Sequence, residues 1–338
     1  MNYQSYWLSL FFLYSLAGWI WETSFVSIKQ KEFVNRGFLF GPWLPIYGFG
    51  ALIILISTKP FSDSYLHVFI IGIISATILE YITGWLMNKL FKVRYWDYSS
   101  EPFNLNGHIC LHVSIAWGFF SLFLVFFLHV YVDKFLLLIP RNILDIITLI
   151  FTVLFVADTT QSVRNALDLK ELITSVAANN KAIETIEQKI NEISTKLEPV
   201  SSTIKDFEER IETAKNIELE LYKSNKEKLI HRLDEYKNKK SNILSILNNN
   251  ITNSIESISN RLNEDITHME SESLQETLST LESLQSNVNK LQNEILNRKD
   301  KEYSKAIALL HRNPSAKSNT LQDALKEIKN IYHKNKSK

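Results

Sequence analysis

Cysteine is almost absent. Cys110 is the single one in 338 residues, which excludes an internal disulfide framework and any zinc site built on paired cysteines. Glycine stops at Gly118, so the polar remainder has no GxxxxGK[ST] loop to cradle a nucleotide phosphate. Tryptophan and phenylalanine stop nearly as early: all 7 Trp and 19 of the 20 Phe lie in residues 1–158, with Phe207 the lone Phe beyond. An excess of one charge is missing too. The 37 Lys and Arg stand against 36 Asp and Glu, which gives no support for bulk binding of nucleic acid. HExxH, Ser-His-Asp and nucleophile-elbow patterns are not recognisable. No enzyme class, cofactor or metal is called for.

What is present is two unlike halves. Residues 1–158 hold 18 charged side chains, whereas the following 180 residues hold 55. The mean hydropathy of −0.05 averages over both. An aromatic, charge-poor half and a glycine-free polar half belong in different solvents. The expected fold is all-α: a polytopic helical membrane domain over 1–158, then a long cytoplasmic coiled coil over 159–311. A short amphipathic helix follows within 312–338.

A helix needs about 20 mainly apolar residues to cross a bilayer. Five segments qualify, roughly 6–28, 42–58, 65–89, 109–131 and 137–158. The first lacks a basic start and a small-residue cleavage site, unlike a signal peptide. The second is entered through RGFLFGPWLPIYGFG, where Gly37, Gly41, Pro42, Pro45 and Gly48 resist a regular helix. A broken or re-entrant start is expected there, with a straight helix from Pro45. Lys29, Lys31, Arg36, Lys89, Lys92, Arg94, Arg164 and Lys170 flank one side; Lys59, Lys134 and Arg141 flank the other. That asymmetry places the N-terminus outside a cell membrane and the tail in the cytoplasm.

From Leu169 a 3-4 seam runs through Leu172, Val176, Ile183, Ile186, Ile190, Ile193, Leu197 and onward to Ala214, the pattern of a coiled coil. Pro199 should break it, with Ser201 or Ser202 capping the restart. Asn248, Asn249 and Asn250 are weak helix formers and mark a candidate reversal. The seam suits self-association or a cytoplasmic partner. Leu321, Leu325, Ile328 and Ile331 share one face of the last helix.

The residues that stand out chemically are polar groups in apolar surroundings. Glu80 falls mid-span, where a charge costs at least about 2.5–3.5 kcal/mol, and Glu22 lies nearer the inner end of the first span. Arg36, Asp97, Asn35 and Asn104 belong to inner-side segments, with Arg36–Asp97 a candidate ion pair. Either a substrate path or helix-to-helix bonding accounts for them. Trp96 and Tyr98 flank Asp97 and read as interfacial anchors. His108 and His112 are four apart, a spacing that serves a metal on a helix, although a structural role for both and for Cys110 is the simpler reading. Asp145 and Asp158 read as boundary residues.

Several blocks together resemble the bacterial family named Putative ABC-transporter type IV, or CmpB-like ABC transporter permeases. They are GWIWE (18–22), NRGFLFGPWLPIYGFGA (35–51), LEYITGWLMNKLFKVRYWDYS (79–99) and NLNGHICLHVSIAWG (104–118), the last containing Gly107. ALLHRNPSAKSNTLQDALKEIK (308–329) is similar to the family's terminal segment. The resemblance implies a membrane permease and, with no phosphate loop here, a separate ATP-binding subunit. It is this resemblance that draws attention to Arg36 and Asp97. A coiled-coil scaffold or sensor recruiting cytoplasmic partners is the alternative. An intramembrane enzyme using Glu22, Glu80, Asp97 and His112 is a third reading, but no spacing names a reaction.

Overall fold

The computed structural model describes residues 3–196, 226–263, 268–298 and 303–333. Apart from one short hairpin, its regular structure is helical. The chain forms two compact units, each discontinuous in sequence: residues 1–171 with 305–322, and residues 172–304 with 323–338.

In the first unit, α1 (Tyr3–Gln30) is followed by an irregular stretch over 33–44, and then α2 (Pro45–Thr58) starts at its proline. Pro suits a first helical position, because the N–H it lacks would have no partner there. A single tighter turn, Lys59–Phe61, ends this arm. α3 (Tyr65–Phe91) is capped by the Ser64 hydroxyl and stops where Lys92 turns left-handed at φ 58°. β1 (Asn104–Leu105) and β2 (Ile109–Cys110) pair antiparallel. Asn106 and Gly107 between them both have positive φ, the conformation that Asn-Gly supplies in a tight hairpin.

α4 (Leu111–Phe123) then runs through one wide π turn, Leu124–Leu128, into α5 (His129–Leu137). Such turns recur at functional sites. α6 (Arg141–Lys196) is continuous. Among the described residues, three helical stretches are long and apolar enough to cross a membrane: Tyr65–Phe91, Leu111–Leu137 and Arg141–Ile193; Pro45–Phe61 is apolar but shorter. α1 packs on α2, α2 on α3 and α3 on α4. Their shared core includes Leu10, Tyr14, Ile54, Ala76, Leu124 and Leu136.

The second unit contains the later part of α6, α7 (Lys226–Leu262), α8 (His268–Leu296) and most of α10 (Gln322–His333), whereas α9 (Ser304–Arg312) belongs almost wholly to the first. The heptad residues Ile183, Ile186 and Ile190 are buried with Leu244, Leu247, Ile251, Leu284 and Val288 in one aliphatic core. Gln285 donates to Thr252, and Gln292 donates to Ser241 and Ser245, so α7 and α8 run antiparallel. The expected reversal at Asn248–Asn250 is corrected: α7 passes through all three without a break. Leu247 and Ile251, both at most 1% exposed, hold the helix there, and packing overrides the weak propensity of asparagine. α10 is fixed within this unit by Asn180 and Lys240, which both reach Glu327. The break at Pro199, the caps Ser201 and Ser202, and the seam residues Leu197, Val200, Ile204, Phe207, Ile211 and Ala214 lie outside the described residues.

Candidate functional site

The sequence isolates Glu22 and Glu80 as acids in apolar helices, and the fold brings them to one cavity of about 840 Å³. Glu22 projects from α1. Its Oε2 accepts from Arg36 Nε at 3.1 Å, and its Oε1 accepts from the Tyr47 hydroxyl at 3.1 Å. Tyr47 reaches it because Gly18 has no side chain: a Cβ there would overlap the Tyr47 ring. Arg36 is otherwise engaged by Asn313, with Nη1 donating to Oδ1 at 2.7 Å and to the Arg312 carbonyl at 3.3 Å. Its charge is paired with that of Glu22.

Glu80 on α3 is 5% exposed. Trp117 Nε1, from α4, donates to its Oε2 at 3.0 Å; the Tyr98 hydroxyl donates to its Oε1 at 3.2 Å. Burial first, then the neighbouring Glu80 charge, pushes the Tyr98 hydroxyl above its ordinary value, so it stays an O–H donor. Among the described residues no cation pairs with Glu80. Lining residues from the irregular arm (Gly37, Phe38, Leu44), from the 92–98 loop (Tyr95, Trp96, Tyr98) and from the C-terminal segment (Asn313) complete the wall.

The irregular arm 33–44 keeps its backbone groups satisfied through distant side chains. Asp158 accepts from the N–H groups of Phe40 at 2.9 Å and Gly41 at 2.7 Å. Asn313 Nδ2 donates to the Gly37 carbonyl at 3.0 Å, and Arg312 donates to that of Leu39. Asn35 takes the indole N–H of Trp19 at 2.7 Å and donates to the Phe40 carbonyl at 2.7 Å. Gly37 sits at φ 122°, a conformation that glycine alone adopts without strain. Asp158, read from sequence as a boundary residue, is therefore a backbone anchor. Asn35 organises the arm and does not line the cavity.

Asp97 is corrected in the same way. It does not pair with Arg36. It accepts from Arg94 Nη1 at 3.0 Å and from Lys317 Nζ at 2.8 Å, and it is 7% exposed. Burial alone would raise its carboxyl, but bonds from Lys317, Ser99 and Arg94 outweigh that and hold it down at about 2. Arg94 and Lys317 also exchange backbone hydrogen bonds at 2.7 and 3.0 Å, so residues 312–318 are laced onto the 92–97 loop. Ser318 adds a bond to the Lys92 carbonyl at 2.6 Å. Asn104 closes its turn by bonding Gly107 N–H and the Glu101 carbonyl, and Trp96 donates to the His108 carbonyl at 3.0 Å. These residues frame the cavity; of them only Trp96 lines it.

Arg312 is 6% exposed, with its guanidinium 3.9 Å from the Phe40 ring centroid. Burial lowers it to about 10, against the pull of Asp158. His108 and Cys110 precede α4 and His112 lies within it, so 108 and 112 never share the helical spacing that the metal reading needed. Burial, then Arg94, pushes His108 below its ordinary value. Among the described residues no three His, Cys, Asp or Glu side chains gather around a metal-sized space. Sequence reasoning missed Tyr47, Trp117, Asn313 and the anchoring role of Asp158. Buried Trp and Tyr in apolar helices do need partners, and that was the one signal pointing to the first two.

The sequence profile of the family described as Putative ABC-transporter type IV matches residues 9–163, which bears out the resemblance over that stretch. No curated protein and no solved structure matches the chain.

Proposed function

We propose, taking the family match and the cavity together, that the protein is the permease-like membrane subunit of a transporter, driven by a separate ATP-binding subunit. The observation that carries this is the cavity itself: two acids and an arginine from three chain segments line about 840 Å³ of mainly apolar space. In this reading α1 and α2 join the three longer stretches as spans, giving five, with the N-terminus outside. α2 covers only about 21 Å at ~1.5 Å per residue, and the irregular arm completes its crossing. Irregular backbone at membrane depth persists only where protein satisfies it, and Asp158, Asn313, Arg312 and Asn35 supply those bonds. The second unit serves as a cytoplasmic coiled-coil region, suited to meeting the ATP-binding partner or another copy.

A permease must open this cavity to each side in turn, which can be tested without knowing the solute. Thr83 lines the cavity. Thr83→Cys in a Cys110→Ser background should react with a membrane-impermeant maleimide applied from either face of sealed vesicles. Labelling from one face only would remove the transport reading and leave a membrane scaffold as the better account.

A further inference from the structure

The chemistry of the cavity goes further than its size and states what kind of solute fits. Its lining contains two carboxylates and one guanidinium, without lysine or histidine. Arg36 is neutralised by Glu22 at 3.1 Å and tied to Asn313 at 2.7 Å. The remaining charge is that of Glu80, 5% exposed and bonded by two neutral donors. The indole of Trp117 can only donate, so Oε2 of Glu80 acts as an acceptor, and two donors on one carboxyl favour its ionised form while burial opposes it. A buried carboxylate with no counter-charge is costly, and a cation placed beside it recovers that cost. The walls suit such a cation. Tyr47, Tyr98 and Trp117 present rings to the space, with Tyr47 and Trp117 centroids 6.0 Å apart, and aromatic faces attract desolvated cations. The apolar remainder excludes small, strongly hydrated ions such as sodium and favours hydrocarbon substituents.

We propose that the cavity binds a monovalent organic cation bearing apolar substituents, held by the Glu80 carboxylate and the rings of Tyr47, Tyr98 and Trp117. This names the solute class of the permease reading and rests on it for the word transport, but not for binding. The probe is radiolabelled tetraphenylphosphonium, added to the full-length protein in phosphatidylcholine nanodiscs with empty nanodiscs subtracted. Saturable binding is expected, weakened at least about tenfold by Glu80→Gln, as when one partner of a buried charge pair is removed. Tetraphenylborate, alike in shape and opposite in charge, should show no saturable binding in separate samples.

Absence of saturable phosphonium binding, equal binding of the borate, or an unchanged Glu80→Gln affinity each overturns the proposal. Should Glu80→Gln fail to fold by gel filtration, the phosphonium–borate contrast on the unaltered protein still decides. Two-sided labelling of Thr83→Cys without phosphonium binding would keep transport and discard the cation. Phosphonium binding with one-sided labelling would keep the site and discard transport.

Discussion

The two units are both helical, yet they are built inside out relative to each other. In the first, a core that includes Leu10 and Leu136 lies beneath many further large apolar side chains that face outward: Leu149 is 64% and Phe119 63% exposed, while Ser9, Ser15, Ser121, Thr148 and Glu80 are buried. In the second, Leu244 and Leu247 are fully buried, and Leu296 at 41% is the only strongly exposed large apolar residue among those described. A contiguous apolar exterior of that extent is not tolerated in water. Lipid is the solvent that fits it. Helix formation thus says little about environment; the direction in which leucine points says nearly everything.

The largest expected effect tests that contrast by making the same change in both places. Leu244→Ala should destabilise the second unit by about 2–5 kcal/mol, because it removes buried methyl groups and leaves a cavity. Leu149→Ala should cost no more than about 0.6 kcal/mol, since lipid fills the space and only a small transfer term is lost. Pulse proteolysis of full-length protein in nanodiscs across a urea series measures both. Comparable losses at the two sites would mean that Leu149 is covered by protein.

Ion pairs supply the next step down. Asp97 lies 7% exposed between Arg94 and Lys317, whereas Glu327 in the second unit meets Lys240 with both side chains partly solvated. The Asp97 carboxyl falls from 3.8 to about 2 on folding, which corresponds to about 2 kcal/mol. A depressed carboxyl contributes fully above its unfolded value. That contribution should therefore be present at neutral pH and drain away as pH falls from about 4 to about 2. Asp97→Asn should lower stability at pH 7 and converge with the unaltered protein near pH 2. Glu327→Gln should cost below about 1 kcal/mol, as partly exposed pairs do. Thermal melts taken between pH 2 and 7 separate the two.

The same contrast explains how much was legible in advance. Glu22, Glu80 and Arg36 could be picked out because a charge in an apolar run is conspicuous in one dimension, and all three line one cavity. The start of α2 followed from Pro45 and the glycines before it. The partners could not be read, because they are set by distance in space. Asp158 looks like an interfacial acid until the Gly/Pro arm, 117 residues earlier, presents two bare N–H groups to it. Asn313 sits 277 residues from Arg36. The 308–329 block was noticed as a sequence pattern, but no periodicity shows that residues 312–318 bond to the 92–97 loop. In the second unit the seam foretold the core, while the three asparagines suggested a turn that the surrounding leucine and isoleucine packing suppresses.

The smallest effect concerns polar bonds, where intuition expects the apolar surroundings of the first unit to magnify each one. Ser9 and Thr148 hydroxyls meet at 2.9 Å between α1 and α6. Each also lies within reach of its own helix, Ser9 of the Ser5 carbonyl at 2.8 Å and Thr148 of the Leu144 carbonyl at 2.7 Å. Two protons thus serve three contacts, and the helix-to-helix one must share. Ser9→Ala removes that shared bond without leaving Thr148 unsatisfied, because its proton goes wholly to Leu144. The cost should be about 0.6 kcal/mol or less, the average found for such bonds between membrane helices. Gln292→Leu removes the bonds of its Nε2 to the Ser241 and Ser245 hydroxyls at 3.0 and 2.8 Å, with a longer contact to the Ser241 carbonyl at 3.4 Å, at about 1 kcal/mol for each of the two protons before any gain from added apolar contact. If Ser9→Ala proved the more damaging in urea-dependent proteolysis, the hydroxyl protons would have to be arranged otherwise than this count requires, with Thr148 left bare when Ser9 is lost.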